Sequence, residues 1–562
     1  MRRLAPRLAV LLAVLLGAPA AAQTALVVER AAISTVSPEA TKIGLGVLAA
    51  GGNAIDAAVA ASFALAVSHP SAGNIGGGGF LVYYDAATRE VWTLDYREVA
   101  PAAATRTMYI GQDGKPAPEA STVGPLAAGV PGSVAGLAEA HARFGSMPWK
   151  SLVEPAAALA SEGFAWRPVD AAHLEDAQKN RRIDRFPSTA ALLFRDGHPP
   201  AAGDIIKQPD LARTLRRIAD GGPREFYEGT TAKLLLEAMR RDGGIISARD
   251  LRDYRPAWRA PIRIDCGEYR IFTMAPPSAG GVLLAEMLQI LKPYALRDFG
   301  FQTPAYLHIL AEAERRAYLD RLQYVGDPSS TRIPYGALFS DERAAQWRAS
   351  IALDRATPTR ELAPQMKALE PRETTHFSLV DASGNIASVT TTINEFFGSG
   401  YLVPEAGFFL NDEMDDFTTA PGHPTAFGLV QGEANAIQPG KKMVSSMTPT
   451  IVFRGEDPFL VLGSPGGGTI PTTVLQVFLN VTAFGMPLGD AVAAPRYHHQ
   501  AWPDEIRWER GRAPLELLDA LNRIGHATKE VAPIGDVHAI MFKDGKIHVA
   551  ADARRGGLAG GF

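Results

Sequence analysis

Polar and apolar side chains alternate most cleanly over Glu373–Asp381 and again over Ile386–Asn394. In the first arm Thr375, Phe377 and Leu379 take one face and Thr374, His376 and Ser378 the other, the two-residue period of a strand. Ala382-Ser383-Gly384 between the arms has glycine third, where a bulged hairpin loop needs a left-handed residue. Pairing symmetric about Ser383 sets Thr374 opposite Thr392, to within about one or two residues, and places Asn394 on the same face as Thr392. Two hydroxyls and an amide thus gather at one end of an otherwise apolar hairpin. By itself this is also what the polar outer face of an ordinary antiparallel sheet looks like.

Helical periodicity accounts for much of the remainder. Ser37-Pro38 and Thr303-Pro304 are cap-then-proline starts, and Asn53 caps an apolar run that ends near His69-Pro70. The helix after Thr303 runs to about Tyr324, and its charged residues Glu312, Glu314, Arg315, Arg316 and Asp320 predict a solvated or interfacial face. Ala127 to Lys292 reads as mainly helical with Gly and Pro punctuation. Leu353 to Arg372 is polar and poorly periodic, an exposed tail leading into Thr374. Strand-like runs follow at Phe80–Tyr84, Val91–Tyr96, Phe408–Leu410, Thr450–Phe453 and Phe459–Leu462. Gly76 to Gly79 lacks the Lys-Ser/Thr of a phosphate loop, so close backbone packing is the expectation. Pro421 to Gly432 is long and rich in Pro and Gly, as mobile lids often are.

Composition narrows the class. With 562 residues, 46% hydrophobic and 21% charged, the chain can bury an ample core. A formal net charge of -4 and the lack of a Lys/Arg run argue against a nucleic-acid partner. Arg2, Arg3 and Arg7 before the apolar Leu8–Leu16, with Ala20-Ala21-Ala22 after it, predict a signal peptide over residues 1–22. The apolar run is too short to span a membrane comfortably, which favours cleavage and export to the periplasm or medium over a retained anchor. Cys266 is the only cysteine and the 12 histidines are scattered, so neither an internal disulfide nor a metal or other cofactor is expected.

Three further stretches suggest chemistry. Arg97 follows a strand, where a guanidinium could grip a carboxylate through two parallel hydrogen bonds. Asp412, Glu413, Asp415 and Asp416 put four carboxylates in five positions. EF-hand spacing is absent, and after an apolar strand such a loop could meet a substrate ammonium. Gly463-Ser464-Pro465-Gly466-Gly467-Gly468 is a strand-to-helix turn, where consecutive N–H groups make an anion nest; the amides of Gly466 and Gly467 are candidates for an oxyanion hole.

The stretch Glu373 to Asp381 resembles the processing site of γ-glutamyltransferases, members of the N-terminal-nucleophile hydrolase superfamily. The resemblance continues through Asn74–Phe80, Asp95–Glu98, Asn411–Phe417, Ser445–Thr450 and Gly463–Gly467, in the family's order and over nearly the whole chain. It implies an α+β fold, an αββα sandwich of two antiparallel sheets between helical layers. It also implies self-cleavage of Glu373–Thr374 into a large subunit, 23–373, and a small one, 374–562, held together as a heterodimer. Threonine is a poor nucleophile without a base, and the freed α-amine of Thr374, of ordinary pKa about 8, can accept its hydroxyl proton. No Gly-x-Ser-x-Gly elbow offers a rival nucleophile, and Thr375 lies on the other strand face.

By the same resemblance Thr392 orients Thr374, and Gly466 and Gly467 stabilise the oxyanion, a contribution of about 3 kcal/mol per donor. Arg97, Ser445 and Ser446 match positions that hold a substrate α-carboxylate; Asn394, Glu413 and Asp416 match those that hold its α-amino group. Position 413 is Glu where some members have Gln, which alters the charge balance. Phe427 stands in the lid where many have Tyr. The implied substrates are glutathione and other γ-glutamyl compounds, with water, an amino acid or a dipeptide as acceptor. The alternatives are a glutaryl-type acylase of the same superfamily and an uncut secreted binding protein.

Overall fold

A computed structural model describes residues 24–194, 196–363, 373–420 and 432–562, with Glu373 by its backbone alone. The predicted signal peptide, the end of the tail before Glu373, and Phe427 lie outside the described residues.

Two seven-stranded antiparallel sheets form the centre. The first runs, edge to edge, Leu558–Gly561, Ala32–Thr35, Glu373–Val380, Ile386–Asn394, Gly78–Asp85, Glu90–Asp95 and Ala257–Arg259. The second runs Leu26–Val28, Lys546–Ala551, His538–Lys543, Asp457–Leu462, Thr450–Arg454, Tyr269–Thr273 and Ile262–Cys266. Alternation along the strands builds three apolar layers. Val82, Tyr84, Ile386, Ile451, Val461 and Ile540 fill the space between the sheets. Leu81, Tyr83, Ala387 and Val389 instead meet helices such as Ala54–Ser68 on the outer face of the first sheet. Val452, Leu460 and Leu462 meet Gly280–Leu291, Pro304–Tyr324 and Ile470–Thr482 on the outer face of the second. This is the expected αββα sandwich.

The predicted caps are present. The Ser37 side chain accepts from Ala40 N, Asn53 forms a capping box with Asp56, and the Thr303 hydroxyl accepts from Tyr306 N at 3.2 Å. Gly384 has φ 86°, and the Asp381 carboxylate accepts the Ser383 and Asn385 amides at 2.8 and 3.0 Å, fixing the hairpin loop.

Several expectations need correction. The charged side of Pro304–Tyr324 is buried: Glu312, Glu314, Arg315, Arg316 and Asp320 are each at most 3% exposed. The reason is internal pairing, since Glu312 binds Arg315 and Arg316, and Asp320 accepts from Arg343 Nε at 2.9 Å and Trp347 Nε1 at 2.8 Å. The polar face of the hairpin is not outward either. His376, Ser378, Ser388 and Thr390 are fully buried against the second sheet, with His376 bonded to Thr390 at 2.8 Å and Ser378 at 3.0 Å. The tail before Glu373 is anchored at its start, because Thr359 is buried and its amide donates to Asp504 at 2.7 Å. The helical stretch is broken by three strands between Ala257 and Thr273, and Phe409 makes only an isolated bridge with Leu402.

Candidate active site

The hairpin pairs from Thr375↔Thr391 to Val380↔Ile386, the register symmetric about Ser383. At Thr374 the ladder slips, and Glu373 pairs with Asn394. The bulge takes Thr374 out of regular pairing, a common way to aim a side chain at a site. Thr374 is 3% exposed and lines a cleft of about 820 Å³, open mouth included. Glu373 and Thr374 lie in one strand, Glu373–Val380.

Four glycines let the scaffold close behind Thr374. A Cβ on Gly77 would lie 2.1 Å from the Thr392 carbonyl oxygen, and one on Gly79 would lie 2.4 Å from that of Thr390. A Cβ on Gly76 or Gly78 would likewise meet the Phe409 or Tyr96 carbonyl oxygen, at 2.1 and 2.6 Å, so the backbone-packing role holds. Asn74 completes the support, donating to Thr391 Oγ1 at 3.1 Å and the Thr392 carbonyl at 2.9 Å. Thr392 Oγ1 accepts the Asn394 amide at 2.8 Å, and Asn394 itself adopts φ 75°. Thr375 does not line the cleft; its hydroxyl is buried beside Thr391.

Thr374, Thr392, Asn394, Glu413, Asp416, Arg97, Ser445, Ser446 and Gly467 all line this one cleft. Arg97, 1% exposed, pairs with Glu413 at 2.6 Å, with Asp416, and with Glu98 at 3.4 Å. The groups expected to grip opposite ends of a zwitterion therefore pair with one another. Asn411 holds the acidic loop in place by donating to the Gly76 and Gly129 carbonyls at 2.8 and 2.9 Å and accepting the Gly129 and Glu413 amides. Ser445 is seated by backbone bonds to Pro277 and Ala279.

Burial sets the titration of the cluster. It pushes Glu98 and Asp415 up to about 7, although Arg97 and the Ser121 hydroxyl respectively oppose it. Glu413 and Asp416 are also raised by burial, against the pull of Arg97, and buried Asp412 lies well above its ordinary range. Burial would lower Arg97, but Glu413, Asp416 and Glu98 outweigh it and hold the guanidinium firmly charged.

The glycine turn sits across the cleft. Gly466 has φ 125° and Gly467 φ 53°, and Ile470–Thr482 follows directly. Among the described residues neither glycine amide donates to another group. Gly467 lines the cleft, whereas Gly466, the residue before it, does not.

Sequence reasoning missed Arg321, Asn435 and Thr418, which also line the cleft. Asn435 Nδ2 donates to the Asp416 carbonyl at 2.6 Å, its Oδ1 accepts Val444 N, and Thr418 Oγ1 donates to the Gly432 carbonyl at 2.8 Å. None sits in a motif; only the adjacency of 418 and 432 to the lid-like loop could have pointed to them. The fold also gathers His69, Asp170 and His173, and separately His308, Glu312 and His526, at metal-ligand spacing. Arg167 caps the first set and Arg315 with Arg316 the second, so both donor sets have the chemistry of internal ion pairs.

Residues 40–562 match the family model described as Gamma-glutamyltranspeptidase. The glutathione hydrolase proenzyme of Pseudomonas aeruginosa is 42% identical over 97% of both chains. That of Escherichia coli is 40% identical over 93% of this chain and 90% of its own. Among solved structures, the cephalosporin acylase of Bacillus halodurans superposes with TM-score 0.83 at 26% identity, covering 97% of this chain and 98% of its own. The gamma-glutamyltranspeptidase of Helicobacter pylori gives TM-score 0.56 at 40% identity, over 57% of this chain and 92% of its own.

Proposed function

The chain belongs to the gamma-glutamyltranspeptidase family, and we propose that it is a self-processing γ-glutamyltransferase and glutathione hydrolase whose nucleophile is Thr374. The observation that carries this reading is one cleft lined together by a bulged strand threonine, a guanidinium and the two carboxylates it pairs with.

In the precursor Thr374 Oγ attacks the Glu373 carbonyl. The acyl group passes from nitrogen to oxygen, and water hydrolyses the ester to a Glu373 carboxylate and a free Thr374 amine. In the mature site the Thr374 amine takes the hydroxyl proton as Oγ attacks the γ-amide of glutathione or a related compound. Gly467 and Gly466 donate to the oxyanion, the leaving amine collects the proton, and water or an amino acid or dipeptide accepts the γ-glutamyl group.

Substrate recognition is an exchange of ion pairs. The α-carboxylate takes Arg97 with Ser445 and Ser446, and the α-ammonium takes Glu413, Asp416 and Asn394. Both substrate charges are needed to replace the pairing that Arg97 makes with the two carboxylates. A glutaryl substrate brings only the carboxylate, so the acylase reading is not favoured; the 40–42% identical relatives above are glutathione hydrolase proenzymes. Export to the periplasm or medium rests on the pattern of residues 1–22. Among the described residues no helix is long and apolar enough to cross a membrane.

Intact mass and N-terminal sequencing of the protein beside Thr374→Ala test the reading. The expected result is two chains, one beginning Thr374-Thr375-His376, and an uncut variant. A single uncut parent chain overturns it. Turnover of a glutaryl anilide but not a γ-glutamyl anilide moves the assignment to an acylase.

A further inference from the structure

An oxyanion hole made of two glycine amides has a difficulty of its own. Glycine permits the positive φ values that the turn requires, yet it also leaves the peptide planes free to rotate. A donor that swings away from the developing charge contributes little, since such stabilisation depends on preorganised dipoles. Something beyond the glycines has to fix the planes.

The side chains around the turn do so. The Gly466 carbonyl accepts from both the Thr469 amide at 3.0 Å and the Thr469 hydroxyl at 2.9 Å. The Gly466–Gly467 peptide is trans, so its N–H points opposite to its C=O. Pulling the carbonyl toward Thr469 therefore turns the Gly467 N–H the other way, and Gly467 lines the cleft. The plane before it is held similarly. The Ser464 hydroxyl donates to the Pro465 carbonyl at 2.8 Å, and its oxygen accepts the Asp536 amide at 3.0 Å. That fixes the peptide whose N–H belongs to Gly466. Behind the turn the Tyr318 hydroxyl donates to the Gly468 carbonyl, and Thr472 Oγ1 donates to the Thr469 carbonyl at 3.0 Å.

We propose that Thr469, seconded by Ser464, is a positioning residue for acyl transfer: its hydroxyl locks the Gly466 carbonyl so that the Gly467 amide stays aimed at the oxyanion. Thr469 does not touch the substrate in this scheme and acts only through the orientation of one peptide plane. The proposal rests on the assignment of Gly466 and Gly467 as oxyanion donors to a Thr374 acyl-enzyme.

The test compares the parent with Thr469→Val, Thr469→Ser and Ser464→Ala, each as full-length protein allowed to process. A γ-glutamyl anilide gives kcat and KM. A γ-glutamyl phosphonate diester, whose phosphoryl oxygen occupies the oxyanion's place as Thr374 displaces an alkoxide from phosphorus, gives an inactivation rate. Deleting an oxyanion donor outright costs about 10²–10³ in kcat. Loosening one should cost less, so T469V is expected to lose roughly 10- to 100-fold in kcat with KM changed less than about twofold. Phosphonate inactivation should slow by a similar factor, and T469S, which keeps the hydroxyl, should stay close to the parent.

Parental kcat and inactivation in T469V overturn the proposal, as does an equal loss in T469V and T469S, or a change confined to KM. If T469V does not yield folded protein, Ser464→Ala carries the test, and a parental kcat there overturns the shared role of the two hydroxyls. A parent that neither turns over the anilide nor is labelled at Thr374 overturns the underlying reading of the site. An active, labelled parent beside a fully active T469V overturns only the positioning role.

Discussion

Replacing Arg97 by lysine keeps the buried charge but removes the fork. The guanidinium spans Glu413 and Asp416 with separate nitrogens, and Nε and Nη2 lie 3.4 Å from the Met443 and Val444 carbonyls. An ammonium is a point charge and cannot reproduce that span. Deleting the charge altogether, as in Arg97→Ala, would leave buried carboxylates uncompensated at a cost of about 3–5 kcal/mol, and would confound binding with folding. Arg97→Lys avoids this, because a cation stays beside the carboxylates. On the proposed reading, what it loses is bidentate recognition of the substrate carboxylate. A hydrogen bond to a charged group contributes about 1.5–3 kcal/mol, and one such bond is the net loss because Arg97 gives up internal partners to bind substrate. At about 1.4 kcal/mol per tenfold, kcat/KM for a γ-glutamyl anilide should fall by roughly 10- to 150-fold, mostly through KM. The control is a 4-aminobutyryl anilide, which keeps the amine and lacks the carboxylate. Its already poor kcat/KM should change little, so the preference for γ-glutamyl over 4-aminobutyryl collapses in R97K. Equal losses on both substrates would refute the assignment and leave Arg97 as a structural ion.

Two further outcomes follow from the same geometry. Asp415 is held protonated up to about pH 7 by burial, so between its ordinary value of 3.8 and about 7 the folded chain binds a proton that the unfolded chain releases. Its contribution to stability is therefore full below the lower value and lost as pH rises through the upper one, with a slope of at most about 1.4 kcal/mol per pH unit. Asp415→Asn should flatten that part of a denaturation-midpoint profile, and an unchanged profile would sink the idea. Gly77→Ala would force a Cβ to 2.1 Å from the Thr392 carbonyl, so processing measured by gel after purification should be abolished or severely slowed; normal cutting would show that this packing does not position Thr374.

What could be read in advance was whatever depends on near neighbours in sequence. The Thr375–Val380 register, the Gly384 turn and the caps at Ser37, Asn53 and Thr303 are local, and each is present. The gathering of Arg97 with Glu413 and Asp416 came from resemblance rather than periodicity, because more than 300 residues separate Arg97 from Asp416. Glu312 to Asp320 misled because a helix pattern records charge but not what comes to cover it. Partners such as Arg343 and Trp347 belong to another helix. The polar side of the hairpin misled likewise, since the second sheet that covers His376 is assembled mostly from strands far along the chain. Asn435 and Thr418 gave no signal beyond their nearness to the lid-like loop, being single polar residues whose value lies in where that loop returns.

The order of strands in the two sheets carries a consequence for how long the protein lasts. Ala32–Thr35 lies between Leu558–Gly561 and Glu373–Val380, and Gly78–Asp85 pairs with Ile386–Asn394, so strands from before and after residue 373 are shuffled together. The second sheet is shuffled too, with Leu26–Val28 at one edge and Tyr269–Thr273 against Thr450–Arg454. Folding such a chain is a first-order reaction only while it is one chain. After a cut at Glu373–Thr374 the pieces can separate only by dismantling both sheets, and reassembly becomes second order in their concentration. The cut would act as a ratchet, turning a reversible fold into one whose survival is set by the height of its unfolding barrier rather than by an equilibrium.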